Sequence, residues 1–174
     1  MRSGSEYWRP WRDRMLAPLH VHLADEAATR ALGERIAAVL QPGATVHLSG
    51  DLGTGKTTLA RGLIQALGFP GKVKSPSYAL VEPYIDSRLT LYHFDFFRFK
   101  DPREWHDAGL RECFNERAIG VVEWPEKAAG LLPPADLRVR LEIPPRGGRD
   151  ATLEADTELG RSCLNELARQ YGAR

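Results

Sequence analysis

The sequence predicts an α/β protein in which a sheet lies between helices on both of its faces, a three-layer arrangement. Three observations support this prediction. Apolar runs of strand length alternate with amphipathic segments of helix length along most of the chain. A glycine-rich turn joins one of these strands to the helix that follows it. Residues 136–143 alternate between apolar and polar side chains before a turn and a second short strand, which adds an antiparallel C-terminal hairpin.

The first half of the chain contains two predicted strand–helix units. In order, they are a strand at residues 19–23, a helix at 25–40, a strand at 45–49 and a helix at 58–67. Asp25 can cap the first helix, whose apolar side chains recur on one stripe. Gly68 lies where a glycine commonly ends a helix, so we expect the second helix to stop there.

The second half of the chain contains more predicted strands than helices. In order, the elements are strands at 78–84 and 89–97, a helix at 102–116, strands at 119–122 and 136–143, a hairpin strand at 151–155 and a helix at 157–171. Residues 74–77 are predicted to form a loop, because Ser75 precedes a proline and is kept out of the helical conformation. We therefore expect a sheet that binds its ligand at the carboxyl ends of its strands.

Residues 50–57 match the phosphate-binding P-loop pattern G-x-x-x-x-G-K-T. Glycines let the backbone turn tightly and direct successive N–H groups at one anion. Here these glycines are Gly50, Gly53 and Gly55. Lys56 can reach the β- and γ-phosphates of a nucleotide, and the Thr57 hydroxyl can bind Mg²⁺. The alternative is a glycine-rich turn that happens to precede a lysine, but the strand before it and the helix after it favour nucleoside triphosphate binding. The fold prediction is therefore a P-loop NTPase-like sheet.

Asp95 and Glu123 each stand at the end of a predicted apolar strand. Phosphoryl transfer needs charge neutralisation and an aligned nucleophile, and a carboxylate at a strand end can hold Mg²⁺ or orient a water. We predict Lys56, Asp95 and Glu123 as catalytic residues, and Thr57, Asp95 and Glu123 as metal ligands. Which carboxylate binds the metal more closely stays open. The alternative for Glu123 is a surface acid on an edge strand.

Three neighbours of these carboxylates have two interpretations each. Trp124 can lie against the base or ribose of a nucleotide, or pack in the core. Arg98 can pair with a phosphate or with a carboxylate of the protein. His93 is two residues before Asp95 on the same strand face, where we expect a packed histidine without a chemical role.

Composition limits the class of protein. The formal net charge of +1 does not suit an autonomous nucleic-acid binder, and the two cysteines form no C-x-x-C pattern. No apolar run has the length of a membrane span, and the N-terminus has no signal-peptide core, so we expect a cytoplasmic protein without a membrane partner. Residues 18–174 are predicted to form a single P-loop ATPase domain. The tryptophan- and arginine-containing segment 1–17 is expected to be a disordered extension.

Four motifs occur in an order that identifies a family. They are Gly-Asp-Leu-Gly-x-Gly-Lys-Thr-Thr at 50–58, Val-Lys-Ser-Pro-Ser-Tyr at 73–78, His-Phe-Asp-Phe-Phe-Arg at 93–98 and Val-Glu-Trp-Pro at 122–125. Together they resemble the bacterial TsaE (YjeE) ATPases, and the similarity runs from about Leu23 to the C-terminus.

The resemblance implies a function in making threonylcarbamoyladenosine, the modified adenosine beside the anticodon of some tRNAs. It implies ATP and Mg²⁺ as cofactors, the proteins TsaD and TsaB as partners, and contact with tRNA only through their complex. ATP turnover is then expected to reset the complex between catalytic cycles, and to be weak in the isolated protein.

The resemblance also assigns nucleotide-binding residues by position. Those expected at the phosphates are Gly53, Thr54, Gly55, Lys56, Thr57 and Thr58. Ser77 belongs to a segment that resembles a mobile switch loop near the γ-phosphate. Glu26, Thr29 and Arg149 are weaker candidates for nucleotide contacts.

Three positions depart from the family pattern. The family usually has Ala at Thr54, Thr at Ser77 and Tyr at Phe97. None of these differences removes a phosphate or metal contact.

Two other functions remain as alternatives. A small-molecule kinase of the P-loop class would need an arginine-rich lid, for which the candidates are Arg138, Arg140, Arg146 and Arg149. A nucleotide-gated binding switch would dock on a partner without needing catalysis. The sequence contains no N-K-x-D motif for guanine and no L-S-G-G-Q motif of an ABC-type ATPase.

Overall fold

A computed structural model describes residues 16–172. The elements within this range are β1 (Leu19–Leu23), α1 (Glu26–Val39), β2 (Thr45–Ser49), α2 (Lys56–Ala66), β3 (Val81–Ile85), β4 (Thr90–Asp95), α3 (Pro102–Asp107), β5 (Ala118–Glu123), β6 (Leu137–Glu142), β7 (Arg149–Ala155) and α4 (Glu158–Gly172). Most of the extension expected at residues 1–17 therefore lies outside the described residues. In the described part, no helix is both long and apolar enough to cross a membrane.

The strands form one seven-stranded mixed sheet in the order β1-β7-β6-β2-β5-β4-β3. Its four central strands, β6, β2, β5 and β4, are parallel. The flanking strands are antiparallel to their neighbours: β7 pairs with β6, β1 with β7, and β3 with β4. The predicted α/β sheet with an antiparallel C-terminal hairpin is confirmed.

Helices cover the two faces of the sheet unequally. Helices α1, α2 and α4 pack on one face, where their buried residues join those of β2, β5, β6 and β7 in the main core. On the other face, α3 and the loops beside it cover only β4 and β5, around an aromatic cluster that includes Phe94, Phe96 and Trp105. Arg138 and Arg140 on β6 stay exposed on that face. The predicted three layers are therefore present, but the second helical layer is partial.

Two predicted elements are shorter in the structure. The helix expected at residues 102–116 ends at Asp107, because Gly109 adopts a left-handed conformation (φ 62°) and a separate 3-10 turn follows at Leu110–Cys113. The strand expected at residues 78–84 begins only at Val81. A tight turn precedes it, in which the Leu80 N–H donates to the Pro76 carbonyl at 2.7 Å.

Three further boundaries shift by a few residues. β4 ends at Asp95 rather than at residue 97, because the Asp95 carboxylate accepts a hydrogen bond from the Phe97 N–H and turns the chain. Helix α2 begins at Lys56, so the last residues of the P-loop are also its first turn. Strand β7 begins at Arg149, two residues before the predicted start at 151.

Helices α1 and α2 cross closely at two glycines, Gly33 of α1 and Gly62 of α2, each of which lies against the backbone of the other helix. A Cβ atom at Gly33 would lie 2.2 Å from the Leu59 carbonyl oxygen, and one at Gly62 would lie 2.3 Å from the Arg30 carbonyl oxygen. Because neither position has room for a side chain, the two helices approach as closely as their backbones allow. This contact sets the distance of the P-loop helix from its neighbour.

We expect Gly33→Ala and Gly62→Ala each to lower the free energy of unfolding by about 1–3 kcal/mol, because the added methyl forces the helices apart. Alanine's better helix propensity offsets only part of this loss. Gly172→Ala is the matched control, because a Cβ at that helical glycine meets nothing within 4 Å. Urea denaturation measures all three variants, and equal stability of the Gly33 and Gly172 variants would contradict the close contact.

Candidate functional site

The P-loop connects the C-terminal end of β2 to the N-terminus of α2. Gly53 and Gly55 have φ angles of 81° and 104°, which side chains disfavour. A Cβ at Gly53 would meet no atom within 4 Å, so the loop encloses open space there. Backbone N–H groups and the helix N-terminus at such a loop form a site suited to an anion.

Lys56 is buried, with 4% of its surface exposed, and lies at the floor of the loop. Its Nζ donates to the carbonyl oxygens of Gly50 at 2.6 Å and Asp51 at 2.8 Å, and lies 4.0 Å from the centre of the Trp124 ring. No carboxylate among residues 16–172 forms a salt bridge with it. Burial lowers the pKa of Lys56, and the nearby charge of Glu123 opposes that shift. A bound phosphate would supply the compensating charge that the protein leaves out.

Asp95 and Glu123 lie side by side at the end of the sheet next to the P-loop. They are register partners in the parallel pair β4–β5, and Leu48 of β2 is the next partner of Glu123. Since β5 lies between β2 and β4, Glu123 is on an interior strand and the edge-strand alternative is wrong. Both side chains are nearly enclosed, with 4% of Asp95 and 2% of Glu123 exposed.

Each carboxylate is held by the segment beside it. Glu123 accepts a hydrogen bond through Oε2 from the Thr57 hydroxyl at 2.9 Å. Asp95 accepts one from the Ser75 hydroxyl and one from the Phe97 N–H at 2.9 Å. Thus Glu123 is joined to the first turn of α2, and Asp95 to the loop that carries Ser77.

The donor set at this point fits Mg²⁺. Thr57, Asp95 and Glu123 offer a hydroxyl and two carboxylates, the hard oxygen ligands that this ion prefers. Within residues 16–172, no group of three or more His, Cys, Asp or Glu side chains could hold a metal by itself. Mg²⁺ commonly takes one or two carboxylates and completes its shell with phosphate and water.

Two of the cavities beside the P-loop share Gly53, Gly55 and Thr58. The first, of about 420 Å³, contains the two carboxylates and is otherwise lined by Leu52, Lys56, Thr57, Ser75, Ser77, Phe97, Arg98 and Trp124. The second, of about 340 Å³, is lined by Ala24, Asp25, Glu26, Thr29, Thr54, Gly148 and Arg149. The structure therefore places Ser77 and Trp124 on the carboxylate side of the loop, and Glu26, Thr29 and Arg149 on the opposite side.

Arg98 stands at the rim of the first cavity. Its guanidinium carbon lies 4.2 Å from the centre of the Tyr78 ring, and 83% of Tyr78 is exposed. Of the two interpretations of Arg98, pairing with a carboxylate is not observed among the described residues. The guanidinium packs on this exposed aromatic ring, and Arg98 lines the cavity that contains Lys56.

Two functional contacts were not predicted from the sequence. Arg149, at the start of β7, donates from Nε to the Thr54 carbonyl at 2.9 Å and from Nη2 to the Gly53 carbonyl at 3.1 Å, so it supports the P-loop itself. His93, expected to be a packed residue, has Nε2 2.8 Å from Oε1 of Glu123. Its spacing from Asp95 was the available signal, because residues two apart on a strand share a face.

A parallel-centred α/β sheet with a P-loop at the end of β2, and with two acidic residues at the ends of the neighbouring strands, defines a P-loop protein. A sequence model of the family described as "Threonylcarbamoyl adenosine biosynthesis protein TsaE" matches residues 23–151. The chain belongs to the TsaE family.

Similar proteins agree with this assignment. The tRNA threonylcarbamoyladenosine biosynthesis protein TsaE of Haemophilus influenzae is 40% identical over 152 residues, which cover 84% of this chain and 96% of that protein. The protein of the same name from Bacillus subtilis is 34% identical over 141 residues, covering 81% and 88%. The crystal structure of Bacillus subtilis YdiB superposes with a TM-score of 0.77 at 29% identity, covering 90% of this chain and 97% of that one.

We expect Arg149→Lys to weaken ADP binding about 10-fold, because a lysine keeps the charge but cannot donate to both loop carbonyls. The amides of residues 53–55 should also exchange hydrogen faster in the nucleotide-free variant, a change that loss of a direct nucleotide contact would not cause. Arg146→Lys, in the same hairpin and exposed, is the control. Calorimetry and hydrogen exchange test both variants, and unchanged loop exchange would refute the supporting role.

Proposed function

We propose that this protein is a Mg²⁺-dependent ATPase that supports threonylcarbamoyladenosine modification of tRNA by acting on a complex of TsaD and TsaB, with ATP hydrolysis resetting that complex. The observation that carries the proposal is Lys56. Within the described residues, its buried charge is satisfied by loop carbonyls and an aromatic ring, and it lines one cavity with Thr57 and the two carboxylates. Family membership and the names of the relatives supply the pathway.

The residues of the site divide the work of hydrolysis as follows. The P-loop amides and Lys56 bind the phosphates, while Lys56 gives up its carbonyl partners for phosphate oxygens. Thr57 and Glu123 would hold Mg²⁺ with Asp95 beside them, and a metal held there would supply charge neutralisation at the phosphates. The carboxylate that is not needed for the metal orients the attacking water. The second cavity, beside Glu26, Thr29 and Arg149, takes the nucleoside.

The kinase alternative is the weaker one because the arginines proposed for its lid have other partners. Arg138 and Arg140 lie on β6 and pair with acidic residues on or directly after the strands of the C-terminal hairpin. Arg146 pairs with Asp150, and Arg149 binds the P-loop. None of these four arginines is placed to close over an acceptor substrate.

The experiment that tests the proposal is ATP hydrolysis by the purified protein, alone and with TsaD, TsaB and tRNA from the same source. We expect low turnover that rises when the partners are added. Turnover that ignores the partners but rises with a small-molecule acceptor would favour a kinase. Nucleotide binding without any turnover, with or without the partners, would favour the binding switch.

We expect Lys56→Ala to abolish nucleotide binding, because the charge facing the phosphates is lost. Glu123→Gln should lower turnover roughly 100-fold, because the lost charge stabilises the transition state, while ADP affinity measured in EDTA stays the same. Glu82→Gln, an exposed acid on β3, is the control. Steady-state kinetics and calorimetry measure the two effects separately, and wild-type turnover in the Glu123 variant would remove that residue from the mechanism.

A further inference from the structure

His93 on β4 is completely buried, with 0% of its surface exposed. Its Nε2 lies 2.8 Å from Oε1 of Glu123, while Oε2 of the same carboxylate accepts the Thr57 hydroxyl at 2.9 Å. Glu123 is therefore hydrogen-bonded on both carboxylate oxygens, to the P-loop helix through one and to the neighbouring strand through the other. The mechanism proposed above uses only the first of these contacts.

The other ring nitrogen of His93 takes no part in this contact. Nδ1 is buried and has no hydrogen-bond partner among the described residues. A carboxylate can only accept, so the ring donates to Glu123 from Nε2. A buried polar atom without a partner destabilises a fold. An apolar side chain would fill the same space without that cost, so the distinctive contribution of His93 is its bond to Glu123.

We propose that His93 is a positioning residue that fixes the Glu123 carboxylate for metal-bound nucleotide. The hydrogen bond to Oε1 selects one orientation of the carboxylate and directs Oε2 toward Thr57 and the cavity. This inference rests on the proposed function, in which Glu123 serves a Mg²⁺–nucleotide complex.

The test is the gain in ADP affinity that Mg²⁺ produces, measured by calorimetry in Mg²⁺ and in EDTA. Removing a partner of a metal ligand typically lowers metal affinity about 10-fold to 100-fold. We expect His93→Leu to lose that much of the Mg²⁺-dependent gain while ADP affinity in EDTA stays the same. His93→Gln should keep most of the gain, because its amide can still donate to Glu123. Tyr92→Phe, whose side chain points to the other face of β4, is the control.

A fully retained gain in the leucine variant would overturn the inference, as would an equal loss in the leucine and glutamine variants. If the leucine variant does not fold, His93→Asn replaces it, because its amide is too short to reach Glu123. Asparagine that performs as well as glutamine would then overturn it. A wild-type protein whose ADP affinity does not depend on Mg²⁺ would overturn the proposed function instead.

The tautomer is tested without metal or nucleotide. In ¹⁵N-histidine-labelled protein, we expect the NMR signals of His93 to show a protonated Nε2. An Nε2 without a proton would overturn the inference even if the calorimetry agreed with it.

Discussion

The in-register parallel pairing of β2, β5 and β4 is the constraint on which the site depends. It aligns Leu48, Glu123 and Asp95 across three adjacent strands. The P-loop and both carboxylates therefore lie together at the carboxyl ends of these strands. A shift of one residue in β5 would turn Glu123 to the opposite face, because side chains alternate along a strand. The apolar residues that precede Glu123 on the helix-covered face, Ile119 and Val121, hold this register by their burial.

The site at these strand ends contains buried charges of both signs that do not pair with each other. A buried lysine faces two buried carboxylates without forming a salt bridge with either, and each group is satisfied instead by neutral partners. Neutral hydrogen bonds solvate these charges while leaving them unpaired. A nucleotide polyphosphate would pair with the lysine, and its divalent cation would pair with the carboxylates. This charge complementarity is the basis of the proposed function.

Other parts of the fold act by holding the P-loop in place. The close crossing of α1 and α2 at Gly33 and Gly62 sets the position of the loop's helix. From the opposite side, Arg149 binds loop carbonyls from the C-terminal hairpin. Strand β7 therefore contributes to the site, since its first residue, Arg149, hydrogen-bonds to a loop almost a hundred positions earlier in the chain.

Features that depend on residues close together in the sequence could be predicted, and features that depend on contacts between distant residues could not. The P-loop, the alternation of strands and helices, the capping by Asp25 and the two strand-end acids follow from local patterns, and the structure has all of them. The helix expected at 102–116 ends at Asp107. The left-handed conformation of Gly109 and the packing of the aromatic cluster outweigh the helical periodicity of the sequence after that point. The strand expected at 78–84 begins only at Val81, because a turn around Leu80 brings the preceding loop back toward Asp95.

The sequence by itself determined the α/β class, the phosphate-binding loop and the residue types of a nucleotide site, because each depends on neighbours within a few positions. Only the tertiary structure decided what those residues touch. It joined His93 to Glu123, Arg149 to the loop and Arg98 to the ring of Tyr78. These contacts depend on strand order and on which atoms burial brings within hydrogen-bond distance, and no local pattern along the chain encodes either.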